Sequence, residues 1–178
     1  VALGTVVGLV AGFYRGWVDT LLSRFVDVLL SFPILLLALG LASACQLGNG
    51  CLGGLIKPGL TTVIIVIALV SWTYVARIVR GQVLTLRRQE FIEAAEALGL
   101  SKLRIIFRHM IPNAVGPIIV YATLTVPSVM LLEAFLSFLG LGVQPPMSSW
   151  GMLIKEGANS MEEFPWLLLY PGLALAIT

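Results

Sequence analysis

Charged residues are scarce in this sequence. Asp, Glu, Lys and Arg make up 11% of the 178 residues, whereas an ordinary soluble domain has roughly a quarter. Hydrophobic residues make up 58%, and the mean hydropathy is +1.00. These values exclude an ordinary soluble domain and indicate an integral membrane protein.

Reactive residues are also few. The chain has one histidine, His109, and two cysteines. A catalytic histidine needs a carboxylate partner and a cavity, and a metal site needs more than two soft ligands; the sequence suggests neither. No G-x-x-x-x-G-K-[ST] phosphate-binding loop occurs in the 178 residues. We therefore expect a non-catalytic chain with no metal and no cofactor.

Apolar runs determine the expected fold. A spanning helix needs about 20 residues, at 1.5 Å each, to cross a core of about 30 Å. The three inner runs are long enough and the two terminal runs are shorter, so we expect a fragment of a longer protein, cut within its first and last helices. The prediction is an all-α, polytopic membrane helix bundle forming a single domain over residues 1–178, with spans near 1–13, 26–44, 60–79, 115–141 and 164–178.

The cations are distributed unevenly among the predicted loops. Nine of the 11 Lys and Arg residues fall in the first and third loops, and cytoplasmic loops retain such cations. The long third loop, residues 80–112, is therefore expected in the cytoplasm. The net charge of +2 is small and not concentrated on one face, which argues against a nucleic-acid partner.

The long loop contains two amphipathic patterns. In the first, an apolar stripe at positions i, i+3, i+4 and i+7 predicts one helical face, with acids beside it. Gly99 is typical of a helix end, and Ser101 is a suitable cap for a second helix. That helix repeats the spacing, and Pro112 marks its exit. The two predicted faces are Phe91, Ala94, Ala95 and Leu98, then Leu103, Ile106, Phe107 and Met110.

We call these two predicted helices, joined at Gly99, the elbow. Two interpretations of the elbow are open. It could lie on the membrane surface, with its cations near anionic lipid. Surface anchors usually present bulky side chains, however, whereas Ala94 and Ala95 permit close approach to another protein. This difference favours a docking element.

The loop also carries a family resemblance. Glu93, Ala94 and Ala95, then three residues, Gly99, nine residues and the run His-Met-Ile-Pro ending at Pro112 resemble the EAA signature of membrane subunits of bacterial ABC importers. His109 and Ile111 depart from its general I-x-L-P ending. Further segments resemble the oligopeptide and dipeptide permease branch, nearest its oligopeptide C-type subunit; they are residues 70–72, 76–82, 136–144 and 148–151.

The resemblance implies the type I ABC importer permease fold and a multi-pass position in the bacterial inner membrane. It implies a related permease subunit as partner in a heterodimer, two cytoplasmic ATP-binding subunits that hydrolyse the ATP, and an extracytoplasmic substrate-binding protein. Peptides are the implied substrate; nickel or another small solute is the alternative. In the EAA loop, Glu93 would supply charge, Ala94 and Ala95 close packing, Gly99 the elbow and Pro112 the exit.

Four further residues carry expectations of their own. Glu133, an acid within a predicted span, could contact a peptide amine in the substrate path or be hydrogen-bonded at a subunit interface. Cys45 and Cys51 could form a disulfide loop outside the membrane, or remain two small unpaired residues. Asp27 is placed to pair with Arg24 on one helical turn.

A different class of function is also considered. A secondary transporter or channel would move solute without any ATPase. Co-purification with an ATPase would distinguish the two classes.

Overall fold

The computed structural model describes residues 1–14, 16–46, 59–144 and 146–178. Over these residues the chain forms nine α-helices and no strand, which confirms the all-α prediction. The helices are α1 (Ala2–Tyr14), α2 (Trp17–Ser31), α3 (Ile34–Gln46), α4 (Leu60–Leu86), α5 (Glu90–Ala97), α6 (Lys102–Ile105), α7 (Ile111–Phe138), α8 (Trp150–Asn159) and α9 (Trp166–Ile177).

Among the described residues, two stretches of helix are long and apolar enough to span a membrane, Leu60–Leu86 and Lys102–Phe138. The apolar run at 26–44 was expected to form a single helix. It forms parts of two helices instead, because the helix is interrupted between α2 and α3. Pro33 has no N–H to donate and disfavours helical backbone at the residue before it, and Phe32 is extended at φ −82° and ψ 136°. Together α2 and α3 qualify only as one broken span.

The second helix of the elbow does not end at Pro112. A π-helical turn, Ile106–Met110, joins α6 directly to α7, and the Ile111 N–H donates to the Ile106 carbonyl across it. Pro112 is then the second residue of α7, directly after the π-turn. The prediction that Pro112 marks a helix exit is therefore wrong.

The described chain divides into two compact units, residues 1–32 with 71–125 and residues 33–70 with 126–178. In the first unit, α1 lies against α4 along three glycines, Gly4, Gly8 and Gly12. A Cβ on Gly8 would lie 2.6 Å from the Ala76 carbonyl oxygen. The two backbones therefore approach more closely than any side chain would allow.

This contact predicts that Gly8→Ala destabilises the protein. The added methyl must push α1 from α4, and overpacking of this kind costs about 1–3 kcal/mol. Gly81→Ala on α4 is the matched control, because a Cβ there meets nothing within 4 Å and alanine favours helix. We expect thermal unfolding in detergent at a lower temperature for Gly8→Ala and at an unchanged or higher temperature for Gly81→Ala. Equal midpoints would contradict the close packing.

In the second unit, α3, α4 and α7 share a core that includes Ala38, Val66 and Leu136. Helix α8 packs closely on α7. A Cβ on Gly151 would lie 2.1 Å from the Ala134 carbonyl oxygen. Cys45, at the end of α3, is disulfide-bonded; Cys51, the other cysteine, lies outside the described residues.

Candidate functional site

Helix α5 carries the EAA residues and packs on the core of the first unit with a different face from the predicted one. Ile92 and Ala95 are buried in a cluster with Val79 and Val83 of α4. Of the four residues of the predicted apolar face only Ala95 is buried, whereas Leu98 is 81% exposed. The i, i+3 pair formed by Ile92 and Ala95 was the signal that the sequence interpretation missed.

Gly99 ends α5 in the left-handed conformation that the sequence predicts, with φ +73°. The Gly99 N–H donates to the Glu96 carbonyl at 3.0 Å, and the Leu100 N–H donates to the Ala95 carbonyl at 3.2 Å. This pattern is a Schellman motif. Leu100 also packs against the apolar cluster that contains Ile92 and Ala95. Ser101 precedes α6 as predicted, but its side chain makes no capping hydrogen bond.

Substitution of Gly99 tests this turn. A Cβ there would meet nothing within 4 Å, so the penalty comes from backbone conformation alone, about 1–2 kcal/mol for alanine. Asparagine tolerates positive φ and should cost less. We expect the free energy of unfolding, measured with denaturant, to fall in the order Gly99, Asn, Ala, Val. Wild-type stability of Gly99→Val would contradict the left-handed turn.

The second half of the elbow also differs from its predicted face. Ile105 and Met110 are buried, whereas Leu103 and Phe107 are exposed. The two buried residues are five apart, and the i→i+5 bonding of the π-turn brings residues at that spacing to the same side of the helix. A purely α-helical register therefore places Met110 on one face with Leu103 and Phe107, whereas the structure buries it together with Ile105.

Both parts of the elbow thus present apolar side chains outward. We call this set, Phe91, Leu98, Leu103 and Phe107, the docking surface. Leu103 and Phe107 line an open groove together with Arg104, Arg108 and Pro112. Glu93 is exposed on α5, and no salt bridge joins it to any other described residue. Exposed apolar groups rimmed by charges are typical of a protein-binding site.

The elbow is supported by contacts to the end of α1. The Arg87 guanidinium donates to the Phe13 carbonyl at 2.5 Å and lies 5.5 Å from the centre of the Phe13 ring. Lys102 lies 6.0 Å from the ring centre of Tyr14. These contacts hold the segments flanking α5 against α1.

Glu133 belongs to the second unit, whereas the EAA residues belong to the first. Its Oε1 accepts a 2.6 Å hydrogen bond from the Ser137 hydroxyl. Ser137 is buried, and its Oγ accepts from the Val143 N–H at 3.3 Å. The carboxylate is therefore oriented by its own helix and by the loop that follows.

Two ion pairs between α2 and α4 were not predicted. Asp27 pairs with Arg77, so its predicted pairing with Arg24 is wrong, because a second helix supplies the cation instead. Asp19 pairs with Arg80. The i, i+8 spacing of the two acids and the i, i+3 spacing of the two arginines are signals that the sequence interpretation did not use.

Comparison with known proteins gives consistent matches. A family described as "Binding-protein-dependent transport system inner membrane component" matches residues 4–178. The oligopeptide transport system permease protein OppC of Haemophilus influenzae is 43% identical over 178 residues, covering 100% of this chain and 54% of that protein.

The protein of the same name from Escherichia coli is 46% identical over 163 residues, covering 92% of this chain and 50% of its own length. The dipeptide transport system permease protein DppC of Alkalihalophilus pseudofirmus is 40% identical over 174 residues, covering 98% and 54%. The chain therefore spans about half the length of the curated relatives it matches.

Proposed function

Because the chain belongs to the family of binding-protein-dependent transport system inner membrane components, we propose that it is the transmembrane subunit of an ATP-driven importer. It forms half of the translocation path for peptides and couples to a cytoplasmic ATPase. The observation that carries the coupling proposal is the elbow of α5 and α6, which buries Ile92 and Ala95 in the core and leaves the docking surface exposed.

The elbow has the properties that a coupling element needs. It must bind a partner firmly, and it must pass the partner's movement to the membrane helices. The docking surface supplies apolar anchors, which usually dominate a protein interface, and Glu93 supplies charge beside them. Ala95 joins α5 to the core, Gly99 fixes the angle between α5 and α6, and Pro112 lies where α6 continues into α7.

The remaining partners follow from this role. The chain works with a related permease subunit, two cytoplasmic ATP-binding subunits and an extracytoplasmic binding protein, in the cytoplasmic membrane of a bacterium. Transport of peptides is favoured over nickel or another small solute because the similar relatives are named for oligopeptide and dipeptide transport.

The proposal is tested by reconstituting the full-length protein with its permease partner, ATPase and binding protein in lipid vesicles. We expect uptake of radiolabelled peptide only with ATP and all components. Uptake that continues without the ATPase would overturn the proposal and favour a secondary transporter or channel.

We also propose that Glu133 contacts the ammonium end of the peptide in the substrate path. Its carboxylate is already oriented by Ser137, so little ordering is needed on binding. Glu133→Gln should lower uptake of peptides with a free amino terminus by about tenfold relative to N-acetylated peptides, the usual effect of losing one charged hydrogen bond. Glu162→Gln is the exposed control. An equal loss for both peptides would indicate a structural role.

A further inference from the structure

Two ion pairs join helix α2 to α4. The Arg80 guanidinium donates from Nε to Asp19 Oδ1 at 2.5 Å and from Nη2 to Oδ2 at 2.8 Å. The Ser23 hydroxyl donates to the same carboxylate at 3.0 Å. Three residues before Arg80 on α4, Arg77 pairs with Asp27. We call these two ion pairs the arginine clamp.

Apolar groups also contact each other across this interface: the Phe25 ring of α2 stacks on Trp72 of α4 with 6.4 Å between ring centres, and Leu29 and Leu30 pack against the same cluster. The buried apolar residues shared by α2 and α4 are Val26, Trp72 and Ala76. Beside them is a cavity of about 70 Å³, lined in part by Ser23, Asp27, Arg77 and Arg80. The other lining residues are apolar or glycine, and a space of this size has room for several water molecules, at about 10–15 Å³ each. Water in this space would lie beside Asp27, Arg77 and Arg80 and would weaken the attraction between the charges it reaches.

The same stretch of α4 carries the elbow. Val79 and Val83 share one core with Ile92 and Ala95 of α5, and Arg80 lies between those two valines on α4. Any displacement of α5 by a partner therefore displaces this part of α4. Helix α2 has no residue among the buried members of that core, and the arginine clamp joins it to α4.

We propose that Asp19 and Arg80 are positioning residues for energy coupling. They transmit movement of the elbow from α4 to α2, and the Asp27–Arg77 pair supports them. The Asp19–Arg80 pair is the stronger candidate because it has two-point geometry, and its side chains are 16% and 34% exposed, against 48% and 56% for the outer pair. Less water means stronger attraction between charges. This inference rests on the proposed coupling to an ATPase.

The test uses the complete reconstituted complex and measures peptide taken up per ATP hydrolysed, normalised to assembled complex. We expect Asp19→Asn and Arg80→Gln to lower this ratio about tenfold, equivalent to roughly 1.4 kcal/mol, while ATP hydrolysis continues. The reciprocal double variant, Asp19→Arg with Arg80→Asp, should restore much of the ratio. Arg24→Gln is the matched control, since Arg24 is an exposed cation on α2.

The outcomes separate this inference from the proposed function. A wild-type complex without ATP-dependent uptake would overturn the proposed function. If the wild-type complex takes up peptide with ATP and the assembled Asp19 and Arg80 variants keep its ratio of peptide taken up to ATP hydrolysed, the inference about the arginine clamp is overturned. The proposed function is then unaffected. If those variants do not assemble, Asp27→Asn removes the outer, more exposed pair; a reduced ratio then supports the clamp, and an unchanged ratio overturns it.

Discussion

We expect Leu98→Asp to abolish stable association with the proposed ATPase partner and to leave the permease folded. Leu98 is 81% exposed on α5, so a carboxylate there costs the isolated chain almost nothing. In a docked complex the same carboxylate would lie in an apolar contact, and loss of a central anchor costs about 2–4 kcal/mol, or roughly 30- to 1,000-fold in affinity. ATP-driven uptake should fall with it.

The measurement is the amount of ATPase retained on the immobilised full-length permease, with thermal unfolding as the check on folding. Met161→Asp is the control, because Met161 is an exposed apolar residue of the other unit. Normal ATPase retention by Leu98→Asp would remove Leu98 from the docking surface. An unfolding temperature lowered as far as in a core variant would show that Leu98 supports the fold.

Ile92→Ala, only six positions earlier, is expected to lower the stability of the fold, which Leu98→Asp should leave unchanged. Ile92 is fully buried at 0% exposure in the core that joins α5 to α1 and α4. Truncation leaves a cavity and should cost about 2–5 kcal/mol of unfolding free energy, which shifts the thermal midpoint by several degrees.

The neighbouring Phe91→Ala provides the comparison for Ile92→Ala. Phe91 is 41% exposed, so its truncation removes less buried area and should lower the unfolding temperature less. Both variants are followed by fluorescence-detected thermal unfolding in detergent. A larger shift for Phe91→Ala would restore the face that the sequence pattern predicts and refute the face seen in the structure.

Sequence alone predicted the features that local chemistry determines. Composition predicted a membrane protein, run length predicted the long apolar helices α4 and α7, and Gly99 predicted a left-handed helix end. The spacing of Glu93, Ala94, Ala95 and Gly99 predicted the family, which residues 4–178 match. Each of these predictions depends on residues close together in the chain or on sums over many residues.

The features that sequence missed depend on partners distant in the chain. The buried side of α5 is set by α1 and α4, and an eight-residue helix with apolar groups on several sides does not reveal which side they cover. The π-turn shifts the register before α7, and Asp19 finds Arg80 61 positions away. The break after Phe32 was recoverable from Pro33, because proline restricts the residue before it.

The glycines of α1 have a mechanical consequence. Helices separated by flexible side chains can slide or roll by exchanging rotamers, but Gly4, Gly8 and Gly12 leave α1 touching the α4 backbone itself, where a Cβ on Gly4 would lie 2.5 Å from the Trp72 carbonyl oxygen. At these positions no layer of flexible side chains separates the backbones of α1 and α4. A displacement of α5 is therefore expected to move α1 and α4 together as one rigid unit, and not as two independent helices.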